Sequence, residues 1–132
     1  MRRFPASVYR VGDEPDPRFS LANERTFLAW TRTGLALIAG GVALEVLGLD
    51  LHPGFRLAAS LLLMIAGTAV APLAWFEWMR AERAMRQGRP LPGALSAVVL
   101  AVVVVTTGLL VLAGVLWRRG GHVHDPDARA TL

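Results

Sequence analysis

Apolar positions along this chain fall into three long blocks, separated by short segments rich in charge, proline or glycine. Ala94 to Trp117 holds no charged residue, and neither does Leu57 to Phe76. A third block, Thr33 to Leu44, widens to Phe27–Leu47 once Arg32 and Glu45 are admitted. A bilayer core about 30 Å thick is crossed by about 20 residues of helix. A buried core helix would account for one such block. Three of them in 132 residues leave too little polar sequence to cover them in water. The pattern predicts an all-α membrane protein with three transmembrane helices, spanning about 27–47, 57–76 and 94–117. A polar N-terminal arm (1–15), a transmembrane domain (16–119) and a polar tail (120–132) complete the division. The first twenty residues hold no apolar stretch of the length a cleaved signal needs, so no leader is expected; the arm reads as a loop or a disordered segment.

Helix ends are marked locally. Asp16-Pro17 or Ser20 can open the first helix, because proline suits the first helical position and aspartate or serine its cap. Gly48, followed by His52-Pro53-Gly54, closes it. The second helix opens near Phe55 and meets no breaker before Gly88, so it should continue beyond the membrane, with a kink at Pro72. Gly88–Gly93 reads as a tight turn. Trp75, Phe76 and Trp78 sit where an interfacial aromatic belt belongs, and Trp117 marks the far end of the third span.

Composition sharpens this picture. All 14 basic residues are arginine, against 10 acidic ones, and cysteine is absent. That excludes a disulfide scaffold, a thiol enzyme, a cysteine zinc module and any Schiff-base or P-loop lysine. A pI near 11.2 would suggest nucleic acid if the arginines formed one soluble patch. Instead they flank the spans. Arg2, Arg3, Arg10, Arg18 and Arg25 precede the first, and Arg80, Arg83, Arg86 and Arg89 lie between the second and third. Three spans put both groups on one side, against Arg56, Arg118, Arg119 and Arg129 on the other. The expectation is therefore N-terminus inside and C-terminus outside. The patch Arg80, Arg83, Arg86 and Arg89 is expected on anionic lipid headgroups, with no nucleic-acid role.

The first helix carries the richest pattern, with an amphipathic N-terminal extension leading into the span. Ala22, Ala29, Ala36 and Ala43 recur every seven residues and share a face. Arg18, Arg25 and Arg32, continued by Ala39, form a second series interleaved with the first. Gly40 lies beside them. Small residues let membrane helices approach closely, so this stripe is expected to pack, within the protomer or between subunits. Arg25 and Arg32 either snorkel to headgroups, with Arg25 able to pair with Glu24 or Glu82, or line a shared anion path. Three spans enclose no pore, so the second option needs an oligomer. Glu45 is expected to meet Arg56 or the outer interface. Thr106-Thr107-Gly108 should bond back to helix carbonyls and allow close packing. His122, His124, Asp125 and Asp127 have ligand chemistry, but their place in a short polar tail favours solvation over metal. No catalytic triad, paired-carboxylate site or phosphate loop is present, and neither a metal nor a cofactor is expected.

The stretch LANERTFLAWTRTGLALIAGG, with the later segment RAERAMRQGRPLP, resembles the YidH-type family of small bacterial inner-membrane proteins, a domain of unknown function with three membrane helices. The likeness runs over roughly residues 16 to 117. The same domain type is similar to the membrane part of the eukaryotic vacuolar transporter chaperone complex, where five such domains surround a basic path for polyphosphate. The matched positions are Asn23, Glu24, Arg25, Thr26, Phe27, Trp30 and Arg32. The resemblance implies an inner-membrane homo-oligomer, a pentamer by analogy, with Arg25 and Arg32 on a central path for a polyanion and Glu24 in an interdomain ion pair. No polymerase or phosphate-sensing domain is present, so polyphosphate synthesis is not implied. The sequence thus points to a non-enzymatic, lipid-embedded protein. Either it is a homo-oligomer that conducts an anion through Arg18, Arg25 and Arg32, or it is a structural or assembly subunit packing against another membrane protein through the Ala22–Ala43 stripe.

Overall fold

A computed structural model of the chain describes residues 3–93 and 95–121. Four helices follow in order: α1 (Ala6–Tyr9), α2 (Pro17–Val46), α3 (Pro53–Arg86) and α4 (Leu95–Gly121). No strand occurs among the described residues. The three long helices contain 30, 34 and 27 residues, and each is long and apolar enough to cross a membrane. At 1.5 Å per residue the shortest runs about 40 Å, more than the hydrocarbon core requires. The expected spans fall inside α2, α3 and α4, except that Leu47 is the C-cap of α2 and Ala94 lies outside the described residues.

The ends are set by the signals the sequence displays. The Asp16 carboxylate accepts from the Arg18 N–H at 2.9 Å, and Pro17 opens α2. Gly48 follows the C-cap Leu47 with φ +57°, a left-handed conformation that glycine adopts without strain. His52 Nδ1 accepts from the Gly54 N–H at 3.2 Å at the start of α3, which continues through Pro72. Gly88, at φ +61°, follows the end of α3. The start of α4 is held by a residue of another helix. Glu77 of α3 accepts from the Ser96 N–H at 2.9 Å and from its hydroxyl at 2.6 Å.

The long helices form an open row with α3 in the middle, packed on both α2 and α4. The α2–α3 seam is built from glycine and serine. A Cβ on Gly67 would lie 2.6 Å from the Gly34 carbonyl oxygen, and one on Gly41 would lie 2.8 Å from that of Ser60. The Ser60 hydroxyl donates to the Gly41 carbonyl at 2.7 Å. On the other flank, Gly114 of α4 approaches Phe55 and His52. Large apolar side chains such as Leu35, Ile65, Val98, Val102, Leu109 and Leu116 are exposed around this seam. That arrangement is unfavourable in water and suited to lipid, where tails replace a covering core.

Two expectations are corrected, those for Thr107 and for the arm. The seam between α2 and α3 runs through Gly34 and Gly41; in the alanine stripe Ala22, Ala29 and Ala36 are exposed, while Ala43 and Gly40 are half-buried. The two series share the seven-residue period but occupy different faces. Thr107 does not bond back to its helix. Its hydroxyl is buried without a partner, and nothing lies within 4 Å of a Cβ placed on Gly108. Finally, the arm is folded. It carries α1, buries Val8 completely, and crosses the end of α3, where the Asp13 N–H donates to the Arg86 carbonyl at 3.0 Å. Gly12, at φ +63°, lies so close to that carbonyl that any side chain there would collide with it.

Candidate functional site

The arm, the first half of α2, the second half of α3 and the turn into α4 meet at one end of the row, the arm end. Two faces of α2 separate there. Gly34 and Arg25 are nine positions apart, two and a half turns at 3.6 residues per turn, and so point in opposite directions. Gly34 is buried on α3, whereas Arg18, Arg25 and Arg32 are exposed on the far side. None of these three arginines is in an ion pair among the described residues.

The face toward α3 carries a polar knot. Glu82 and Arg86 are 2 % and 8 % exposed, and Arg86 Nε stands 3.7 Å from Glu82 Oε1. Ser20 donates to Glu82 Oε1 at 2.9 Å, and Asn23 donates to the Trp78 carbonyl at 3.1 Å and to Glu82 Oε2 at 3.5 Å. The Arg86 guanidinium lies over the Tyr9 ring, 4.7 Å from its centre. A buried carboxylate needs compensation, and this one receives hydrogen bonds from α2 and an opposite charge from α3. Arg86 therefore leaves the expected lipid-facing patch, while Arg80, Arg83 and Arg89 remain exposed. Glu82 is engaged by Arg86, Ser20 and Asn23, and so does not serve Arg25. Glu24 is exposed. On the arm, Arg3 pairs with Glu14, which holds that carboxyl below its ordinary range by hydrogen bond and charge.

Aromatic rings frame the knot. Trp75 stacks on Trp78 at 5.1 Å and on Phe4 at 6.4 Å, and meets Phe27 edge-on at 6.1 Å. Asn23, Thr26, Phe27 and Trp30, four of the motif residues, also line a crevice of about 300 Å³ between α2, α3 and the turn. Thr26 spends its hydroxyl on the Ala22 carbonyl at 3.1 Å. At the other end of the row Glu45 stands 3.8 Å from Arg56, and Asp50 pairs with Arg118. His122, His124, Asp125 and Asp127 lie outside the described residues, and no metal-type cluster occurs among the described ones.

A family model described as a domain of unknown function, DUF202, matches residues 18–84, which includes the motif, the glycine seam and Glu82. The chain belongs to the DUF202 family. It is 40 % identical over 111 residues to the inner membrane protein YidH of Escherichia coli strain K12, covering 83 % of this chain and 96 % of that protein. It is 45 % identical over 101 residues to the uncharacterized protein Rv2272 of Mycobacterium tuberculosis strain H37Rv, covering 76 % and 83 %. No solved structure matches. With an inner membrane protein as relative and three helices able to cross a bilayer, this DUF202 chain is a multi-pass protein of the bacterial inner membrane.

The sequence showed the crevice residues only as a motif. It missed the knot because Ser20, Glu82 and Tyr9 come from three separate segments. One signal was available: Glu82 and Arg86 are four apart, the spacing of a helical ion pair.

Proposed function

We propose that this protein is a non-enzymatic homo-oligomer in which the outward face of α2 lines a path for a phosphate-type anion, with polyphosphate within that class. The observation that carries this reading is the exposure of Arg18, Arg25 and Arg32 on the side of α2 facing away from α3. Arg25 and Arg32 are about 10 Å apart along the axis at 1.5 Å per residue, a ladder of cations rather than a point. A guanidinium inside the membrane costs about 2.5–3.5 kcal/mol at the helix centre on insertion scales, so its expected place is a polar or water-filled surface. An open row of three helices encloses nothing, and several copies must supply the wall. The exposed alanines beside the ladder allow α2 of one copy to approach a neighbour closely.

The arginine distribution favours the arm end in the cytoplasm, with the amphipathic start of α2 at that interface and the C-terminus outside. A reporter fused after Leu132 should be active only outside the cytoplasm.

The test is mass in detergent, followed by phosphate and short-chain polyphosphate flux in liposomes. The expected result is an oligomer whose flux falls about tenfold in Arg32→Ala, or about 1.4 kcal/mol. A stable monomer without flux overturns the conduit. A protein without flux that co-purifies with a second membrane protein, the contact broken by Ala29→Leu, supports the second reading, an assembly subunit packing against another membrane protein through the Ala22–Ala43 stripe.

A further inference from the structure

The crevice at the arm end is independent of the arginine ladder, because it opens on a different face of α2. Its floor is Ala74, 2 % exposed, and its walls include Phe27, Trp30 and Trp78. Phe19, Thr26 and Leu91 form an exposed rim. At about 300 Å³ it reaches the lower bound of about 300 Å³ for small-molecule pockets.

Two charged residues border it. Glu77 is engaged by the N–H and hydroxyl of Ser96 at the start of α4. Arg80 is exposed and belongs to no ion pair among the described residues. From Ala74 to Arg80 is about 9 Å of helix rise, and the lining continues past Arg80 through Ala81 and Met85, so the crevice is largely apolar with one cation part-way along it. Tryptophans place this level at a membrane interface. An apolar crevice carrying one cation at the membrane interface matches one ligand class in the surrounding solvent. We propose that the crevice binds one acyl chain of an anionic phospholipid, with the headgroup phosphate held by Arg80. The site is a defined lipid seat, distinct from general headgroup contact by the basic patch. In it the motif residues Phe27 and Trp30 are walls for the chain and Thr26 is part of the rim.

The full-length protein is reconstituted in phosphatidylcholine vesicles. A minor fraction of phosphatidylglycerol or of phosphatidylcholine carries brominated tails, which quench nearby tryptophan. Brominated phosphatidylglycerol should quench at about fivefold lower mole fraction, the scale of one arginine acting on an anionic headgroup. The difference should vanish in Arg80→Gln, which removes the cation, and in Thr26→Phe, which fills the crevice from its exposed rim. It should persist in Arg32→Ala, which leaves this face untouched. Helicity and elution volume verify that each variant folds. Equal quenching by both lipids overturns the proposal, as does a preference that survives both Arg80→Gln and Thr26→Phe. Efficient Thr26→Cys cross-linking between copies, with no lipid preference, would replace the lipid with a second copy of this chain.

Discussion

Glu82 and Arg86 sit one turn apart on α3, both buried, with Arg86 Nε 3.7 Å from Glu82 Oε1. Their burial is completed by residues from elsewhere in the chain: Ser20 and Asn23 from α2 donate to the carboxylate, while Tyr9 of the arm covers the guanidinium. The pair is thus the point at which three segments are fastened together. It holds α2 and α3 in one relative rotation at the arm end, which in turn sets where the outward arginines of α2 point.

Removing one partner of this pair should be much worse than removing both. Glu82→Leu leaves a buried, uncompensated guanidinium and should cost about 3–5 kcal/mol. The double variant Glu82→Leu with Arg86→Met should recover most of that loss. Unfolding in detergent, followed by helicity, measures both; a double variant no better than the single would remove the ion pair as the cause.

The glycine seam predicts sharp position dependence among chemically identical changes. Gly67→Ala places a methyl 2.6 Å from the Gly34 carbonyl oxygen, so α2 and α3 must separate, at about 1–3 kcal/mol. Gly108→Ala meets nothing within 4 Å and replaces a flexible residue inside a helix. It should be neutral or stabilise by about 0.5–1 kcal/mol. Melting temperatures of the two variants in one detergent should lie on opposite sides of the parent or nearly so. Equal effects would contradict the seam.

Arm docking rests on Val8, which is fully buried. Val8→Asp forfeits about 1.5 kcal/mol of apolar burial and would bury a charge, so the arm should release. Trypsin cleavage at Arg10 should then accelerate about tenfold or more, the factor that 1.4 kcal/mol represents, with the helical content of α2 to α4 preserved. Unchanged cleavage would mean that the arm is accessible in the parent too.

Glu77→Ala removes the carboxylate that accepts from Ser96 at the start of α4. By analogy with an N-cap, the loss should be about 1 kcal/mol. Glu77→Gln keeps an acceptor and should recover part of it. Amide exchange localised to the first turn of α4 is the discriminating measurement, because a global effect would indicate a different cause.

Much of this architecture could be read in advance, and the reasons are local. Asp16-Pro17, Gly48 and His52-Pro53-Gly54 mark helix ends because caps and left-handed turns depend on a few adjacent residues. The packing face of α2 could not be chosen the same way. Ala22–Ala43 and Gly34–Gly41 repeat with the same seven-residue period, and both are small, so periodicity alone supports either. The structure selects Gly34 and Gly41 because their counterparts on α3 are Gly67 and Ser60, close enough for backbone to meet backbone. Arg86 shows the same limit. Within RAERAMRQGR its spacing from Glu82 is the one local hint, and only the approach of Tyr9, Ser20 and Asn23 shows that the pair is buried.

The sequence by itself determined that three helices are long and apolar enough to cross the membrane, where α2 begins and ends, and which residues form the motif. Those properties follow from bilayer thickness and from chemistry along a single helix. Tertiary structure decided which small residues form the seam and which arginine is buried. It also decided that the arm docks and that four motif residues share one crevice. Each of these depends on the relative rotation of helices distant in sequence, a quantity no single segment encodes.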